Sequence, residues 1–206
     1  MKALSQFYPF VEPEVMGCPY PVIDHQLRLA MREFCDETRV WKEWLDPVTL
    51  DGTTSRFDYD LTQSQELVRV LRASIDGEEL DIVDGGSTPA DWNEDVPSDI
   101  TRDTLVHFDT AEYLILPKPT AGGVLLVQMA FRPSLAATQV GDILYTRYAE
   151  KVAEGCKARL MAMLGQPWAN AAQSDYHARR FARAIADAAN DDFARGKTSR
   201  RTKPCP

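Results

Sequence analysis

The sequence predicts an α+β fold: a three-helix bundle, of one N-terminal and two C-terminal helices, with an inserted antiparallel β-rich domain and extended N- and C-terminal arms. In residues 21–48 and 134–196, apolar side chains recur every three or four positions, as in amphipathic helices. In residues 49–133 the apolar period shortens towards that of strands. A strand-rich segment flanked by helical ones indicates a β-domain inserted into a helical domain.

The first 20 residues predict an extended N-terminal arm. They contain Pro9, Pro13 and Pro19 among several aromatic residues. Proline lacks a backbone donor and disfavours helix at the preceding residue, so an extended chain is expected here.

The first helix is predicted from about Val22 to Trp44. Pro21 suits its first turn, and Asp46-Pro47 is expected to end it. Its apolar stripe consists of Ile23, Leu27, Ala30, Phe34, Thr38 and Trp41.

The inserted region predicts at least five strands and one tight hairpin. Asp76-Gly77 lies between two apolar runs, as in a type I′ turn, where both central residues need a positive φ. The predicted strands are Arg56–Leu61, Leu67–Ile75, Glu78–Val83, Leu105–Leu116 and Gly123–Phe131.

Two further helices follow this region. The first begins near Gln139 and ends near Gly165, with an apolar stripe from Leu144 to Met163. Asn170 is expected to cap the second, and Gly196 to end it. The stripe of the second helix is Ala178, Phe181, Ile185 and Ala188. Residues 197–206 have no apolar periodicity and predict a flexible basic C-terminal arm.

Charge is distributed unevenly along the chain. The net charge is −8, yet residues 134–206 hold 12 basic and 7 acidic side chains. The deficit therefore lies in residues 1–133, and residues 73–101 contain nine carboxylates and no lysine or arginine. No apolar run approaches the length of a membrane span, and the first residues lack the pattern of a signal peptide, so a soluble protein made in a cytoplasm is expected.

No pattern of reactive residues indicates catalysis. His25, His107 and His177 lack metal-binding or triad spacing and are interpreted as solvent-facing or hydrogen-bonded. A calcium or magnesium site in the acidic run is the alternative to a solvated loop, but the EF-hand spacing is absent. We therefore expect no enzyme activity and no cofactor. Cys35 and Cys156 are expected to be buried free thiols.

Candidate partner-binding residues lie near the C-terminus and in the acidic run. We expect the basic tail to dock onto a protein partner, with weak, salt-sensitive DNA binding as the alternative. Trp92, within the acidic run, is interpreted as an exposed interface residue. The basic residues of the tail are Arg195, Lys197, Arg200, Arg201 and Lys203.

Two stretches of the chain resemble the phage head-to-tail adaptor proteins, including tail tubular protein A. Ile23–Trp41 is similar to the opening helix of that family, which ends in a Ser/Thr-x-x-Trp turn. Tyr148–Trp168, continuing to Gly196, resembles the helix–GxPW–helix signature, with Gly165-Gln166-Pro167-Trp168 in its centre.

The resemblance implies a structural virion protein of the neck or tail, with no catalytic residue. It implies a ring, usually of twelve subunits, between the portal protein and a tail or nozzle protein, with DNA passing through its channel. The helical domain would build the ring, the β-rich insert would contact neighbours or the next tail component, and the C-terminal arm would grip the portal. The alternatives are a tail terminator or baseplate protein, a metal-dependent hydrolase and a carbohydrate-binding module.

Overall fold

A computed structural model describes residues 1–85, 103–108 and 111–199, with side chains up to residue 191. The chain divides into two compact units. The helical unit comprises Met1–Trp41, Gln63–Glu66 and Phe131–Pro206, and the β unit comprises Lys42–Thr62 and Leu67–Ala130. Helices and mostly antiparallel sheets occupy separate parts of the chain, so the predicted α+β class is confirmed.

The N-terminal segment is folded, and the predicted extended arm is wrong. After β1 (Lys2–Ala3), 3-10 helices span Leu4–Phe10 and Glu12–Glu14. The Phe7 ring meets the Tyr145 ring edge-on, with centroids 5.4 Å apart. Prolines are compatible with short 3-10 turns, and the apolar residues between them gain more from burial than from an extended path. The buried side chains are Leu4, Phe7, Val11 and Val15.

Helix α1 (Tyr20–Thr38) begins with proline in its first turn, as predicted, and buries the predicted stripe up to Thr38. It ends earlier than expected, because Arg39 takes a left-handed conformation with φ 52°. Trp41 lies beyond the helix but is buried, and its carbonyl accepts a hydrogen bond from the Phe131 amide at 2.8 Å. The predicted end at Asp46-Pro47 is therefore wrong.

A five-stranded sheet of the chain consists of β2 (Lys42–Trp44), β3 (Val48–Thr49), β5 (Gln65–Ile75), β6 (Glu78–Glu79) and β10 (Val124–Pro133). Asp76 and Gly77, with φ of 51° and 89°, form the turn between β5 and β6, which confirms the predicted hairpin. The strand order in this sheet is β2-β10-β5-β6, and β3 also pairs with β10.

A four-stranded sheet lies in the β unit and consists of β4 (Arg56–Asp58), β7 (Asp81–Asp84), β8 (Thr104–Phe108) and β9 (Glu112–Leu116). Its apolar cluster consists of Val106, Phe108, Leu114 and Leu116. The strand order in this sheet is β4-β9-β8-β7.

The single strand predicted over Glu78–Val83 is divided between the two sheets. Leu80 links β6 to β7 along the chain, and its side chain is buried. Its amide donates a hydrogen bond to the Ala73 carbonyl at 2.9 Å. Burial of this side chain fixes the point at which the chain passes from one sheet to the other. Strand β7 then pairs with β8 in parallel, so the antiparallel expectation is wrong for this pair.

The last two helices, α2 (Asp142–Met161) and α3 (Ala171–Ser199), pack against each other and against α1. A short strand, β11 (Gln139–Val140), precedes α2 and pairs with β1. The Phe34 ring of α1 lies 5.1 Å from the Tyr148 ring and 6.1 Å from the Phe181 ring, centroid to centroid. A side chain on Gly155 of α2 would have its Cβ 2.8 Å from Phe181. Glycine at this position therefore lets α2 and α3 approach closely.

The sequence prediction for α3 is confirmed at the start of the helix and wrong at its end. The Asn170 side chain accepts a hydrogen bond from the Gln173 amide at 3.2 Å, which confirms the predicted cap. The predicted end at Gly196 is wrong, because the helix continues to Ser199. One glycine costs only about 1 kcal/mol within a helix, too little to end it alone.

Candidate functional site

An ionic cluster joins the exposed Glu14 of the N-terminal segment to buried side chains of α2 and α3. Lys157 Nζ lies 2.6 Å from Glu14 Oε1 and 2.8 Å from Glu154 Oε1. His177 Nδ1 lies 2.7 Å from Glu154 Oε2. His177 Nε2 is 3.0 Å from Glu14 Oε2, but the contact lacks the geometry of a hydrogen bond. Since Glu154, Lys157 and His177 are all buried, the cluster fixes the positions of three chain segments.

The electrostatics of this cluster favour its charged form. Burial raises the pKa of Glu154, but hydrogen bonds from His177 and Lys157 outweigh it and hold that pKa below its ordinary value. Burial lowers the pKa of Lys157, and hydrogen bonds to Glu14 and Glu154 reverse this and raise it. Both groups therefore stay ionised near neutral pH.

The cluster is suited to holding the fold together rather than to chemistry. The nearby thiol of Cys156 points to the Ile23 carbonyl at 3.8 Å, and burial raises its pKa, which disfavours the reactive thiolate. Cys35 is also buried and free, as predicted. Within residues 1–85, 103–108 and 111–191, no three histidine, cysteine or carboxylate side chains are grouped to hold a metal ion.

A second charged network ties α1 to Glu66 of β5 and Arg132 of β10. Arg32 Nη1 lies 2.8 Å from Glu66 Oε2, and Arg132 Nε lies 3.1 Å from the same oxygen. Arg132 Nη1 also contacts Asp36 Oδ2 at 3.0 Å. These side chains are half-buried to marginally exposed, so we assign the network to positioning within the helical unit.

A groove runs over the surface of the helical unit between α1, α2 and α3, with a cavity volume of about 500 Å³. Gly155 and Ala158 of α2 line it, and Glu33 and Glu37 of α1 form one rim. Glu33 is ion-paired with Arg159. From α3 the groove is lined by Ser174, Ala178, Phe181, Ala182 and Ile185, and we call it the α3 groove.

The α3 groove explains a shift in the predicted stripe of α3. Ala178 was predicted to be in the core but is exposed, and Ile185 is half-buried. Within residues 171–191, the side chains that α3 buries are His177, Phe181, Ala184 and Ala188. Helix α3 thus has more apolar surface than the unit covers.

The structure places the predicted partner-binding residues only in part. Arg195 and Lys197 lie on the last turns of α3, where the backbone alone is described. Arg200, Arg201, Lys203 and Trp92 lie outside the described residues. The six side chains are therefore not shown to form one site.

The histidines match their interpretation as solvent-facing or hydrogen-bonded. His25 is exposed, and His107 Nε2 lies 2.8 Å from the Tyr59 hydroxyl. His177 is the one whose structural importance the sequence reading missed. The available signals were Glu154 and Lys157, one helical turn apart, and a histidine beside the apolar stripe of α3.

Comparison with known proteins assigns the chain to a family. The search of curated proteins finds no match. No described helix is long and apolar enough to cross a membrane. The model of the SU10 adaptor protein family matches residues 16–203, which include both motifs that carry the resemblance to phage head-to-tail adaptors. The chain therefore belongs to the SU10 adaptor protein family, whose members are structural proteins of phage particles.

Proposed function

We propose that this protein is the head-to-tail adaptor of a phage virion, made in the host cytoplasm. Copies of the chain form a ring, by family resemblance a dodecamer, beneath the portal and join it to the tail. DNA passes through the channel of the ring without specific binding, and the protein catalyses no reaction. The observation that carries the proposal is the family match over residues 16–203.

The helical unit is suited to the wall of such a ring. We propose that α1, α2 and α3 form a three-helix bundle, since each contacts the other two. The cluster of Glu154, Lys157 and His177, which are buried, with the exposed Glu14 adds ionic contacts to an apolar core, which favours one rigid arrangement over alternatives. A rigid subunit loses little conformational entropy when it assembles.

The β unit supplies contacts to neighbours or to the next tail component. Asp76, Glu78, Glu79 and Asp81 are exposed at and beside the β5–β6 hairpin. Where such carboxylates face the channel, they repel the phosphate backbone of DNA, and no release of counterions favours binding. This supports passage of DNA without retention.

The basic C-terminal residues are the proposed grip on the portal. Because α3 extends to Ser199, Arg195 and Lys197 lie on the last turns of that helix. The test is a chain that ends after Ala194, compared with one in which Cys205 is replaced by Ser. Truncation should abolish co-purification with the portal protein and leave thermal unfolding unchanged, whereas portal binding by the truncated chain would contradict this role.

The function itself is tested by deleting the gene and imaging the particles by electron microscopy. Loss of an adaptor should give heads that package DNA, leak it and lack attached tails. Particles with tails of abnormal length would instead indicate a tail terminator, and tails without a distal structure would indicate a baseplate protein. Metal analysis and glycan binding of the purified chain test the two remaining alternatives.

A further inference from the structure

Within residues 174–185, the flank of α3 that lines the α3 groove carries no charged side chain, although it lies at the protein surface. The residues of α3 that line the α3 groove are small or apolar, and Ala178 and Ala182 are exposed. On most surface helices such positions carry charged or polar residues. Because other surface positions of α3 carry charged side chains, the uncharged flank is a specific feature of this helix.

Away from this flank, α3 carries three exposed arginines, Arg179, Arg180 and Arg183, which we call the arginine ridge. Their side chains are 77%, 54% and 86% exposed. A separation of two residues corresponds to about 160° around a helix, so Arg180 and Arg183 lie nearly opposite Ala178 and Ile185. Arg179 is ion-paired with Asp175, and Arg180 Nε lies 3.5 Å from Glu154 Oε2. Arg183 is held only loosely by Asp187, at 4.0 Å, which leaves its guanidinium available to a partner.

The charged groups that line the α3 groove are Glu33, Glu37 and Arg159, so the groove carries one net negative charge. Glu37 of α1 is exposed and has no ion-pair partner in the described part of the chain, and Glu33 beside it is bound to Arg159. An arginine-bearing helix seated on the groove would bring its guanidinium groups towards these carboxylates. The groove and the ridge are therefore complementary in charge, while the groove floor provides apolar surface to cover.

We propose that the α3 groove of one copy receives the arginine ridge of α3 from the neighbouring copy. This rests on the proposed function and specifies the contact by which the ring is built. The interface is heterologous, since each copy contributes two different surfaces. A heterologous contact generates a ring when its rotation closes, whereas a closed dimer needs the same surface from both copies.

Site-specific photocrosslinking in assembled particles tests the contact. A photoreactive amino acid replaces Ala182 in the groove, or Leu164 in the α2–α3 turn as a control, which is 88% exposed and does not line the groove. Irradiation should join position 182 of one copy to the arginine-ridge peptide of another, and position 164 should not reach that peptide. Crosslinks from 182 to a different virion protein, to another segment of this chain, or to nothing would overturn the proposal.

A general amine-reactive crosslinker on the same particles separates this inference from the proposed function. Multimers of the chain that lack the 182-to-ridge product would leave the ring intact and refute only the groove contact. Particles in which the chain is found as isolated copies would refute both.

Charge exchange gives an independent test. The variants Glu37→Arg and Arg183→Glu should each reduce the copies of the chain per particle several-fold, and the double variant should restore most of the loss. Arg147→Glu is the control, because Arg147 is exposed on α2 and does not line the groove. Thermal unfolding of each purified variant checks that it folds. A folded double variant that assembles no better than the single ones would contradict the pairing.

Discussion

The imidazole Nδ1 of His177 lies 2.7 Å from a carboxylate oxygen of Glu154, and this pair connects α3 to α2 within the helical unit. Neither side chain is accessible enough for water to replace its partner. Lys157 and Glu14 extend the pair to the N-terminal segment. Three segments that are distant in the sequence therefore depend on one another through a few buried polar atoms.

Replacement of His177 by Ala should lower the free energy of unfolding by about 2 kcal/mol, because a buried carboxylate loses a hydrogen-bond partner. Urea unfolding followed by circular dichroism measures the change. His25→Ala is the matched control, since His25 is exposed on α1 and should change stability by less than about 0.5 kcal/mol. Equal effects of the two substitutions would argue against a structural role for the cluster.

The Glu154 carboxylate should make stability depend on pH in the acidic range. Its pKa is lower in the folded than in the unfolded protein, so its ionised form stabilises the fold above the unfolded value, about 4.3. That contribution disappears as the pH falls through the folded pKa. The stability difference between wild type and Glu154→Gln should therefore shrink as the pH falls below this unfolded value. A difference that grows over that acidic range would show that the sign is wrong.

The close approach of α2 and α3 at Gly155 should make this glycine intolerant of substitution. Gly155→Ala places a Cβ 2.8 Å from the Phe181 ring and should destabilise the protein by about 1–3 kcal/mol. Alanine is otherwise favoured over glycine in a helix by about 1 kcal/mol. In a Phe181→Ala background the same change should be neutral or stabilising. Thermal unfolding of the four proteins measures this coupling, and additive effects would exclude the clash.

At Gly77, the second position of the Asp76-Gly77 turn, a substitution should change stability through the backbone conformation alone. A Cβ on Gly77 would meet no atom within 4 Å, so Gly77→Ala should cost about 1–2 kcal/mol through the left-handed φ of 89°. Gly77→Asn should cost less, because asparagine tolerates this conformation. Chemical denaturation of both variants provides the comparison. An alanine variant as stable as the asparagine variant would contradict this explanation.

Features that depend on neighbouring residues were predictable from the sequence. The stripe from Ile23 to Thr38 is buried as expected, because a helical period of apolar residues requires a core on one side. The Asp76-Gly77 hairpin and the Asn170 cap also formed as expected, since each is determined by the conformational and hydrogen-bonding preferences of one or two residues.

The sequence by itself determined the α+β class, the three long helices and the family resemblance, because periodicity and short motifs are local properties. Only the tertiary structure decided the rest. Phe7 is buried because Tyr145 offers it a surface, the chain changes sheets at Leu80 because that side chain has a core to enter, and His177 is buried because Glu154 and Glu14 surround it. Each of these outcomes depends on a partner far away in the chain, whose position no local pattern specifies.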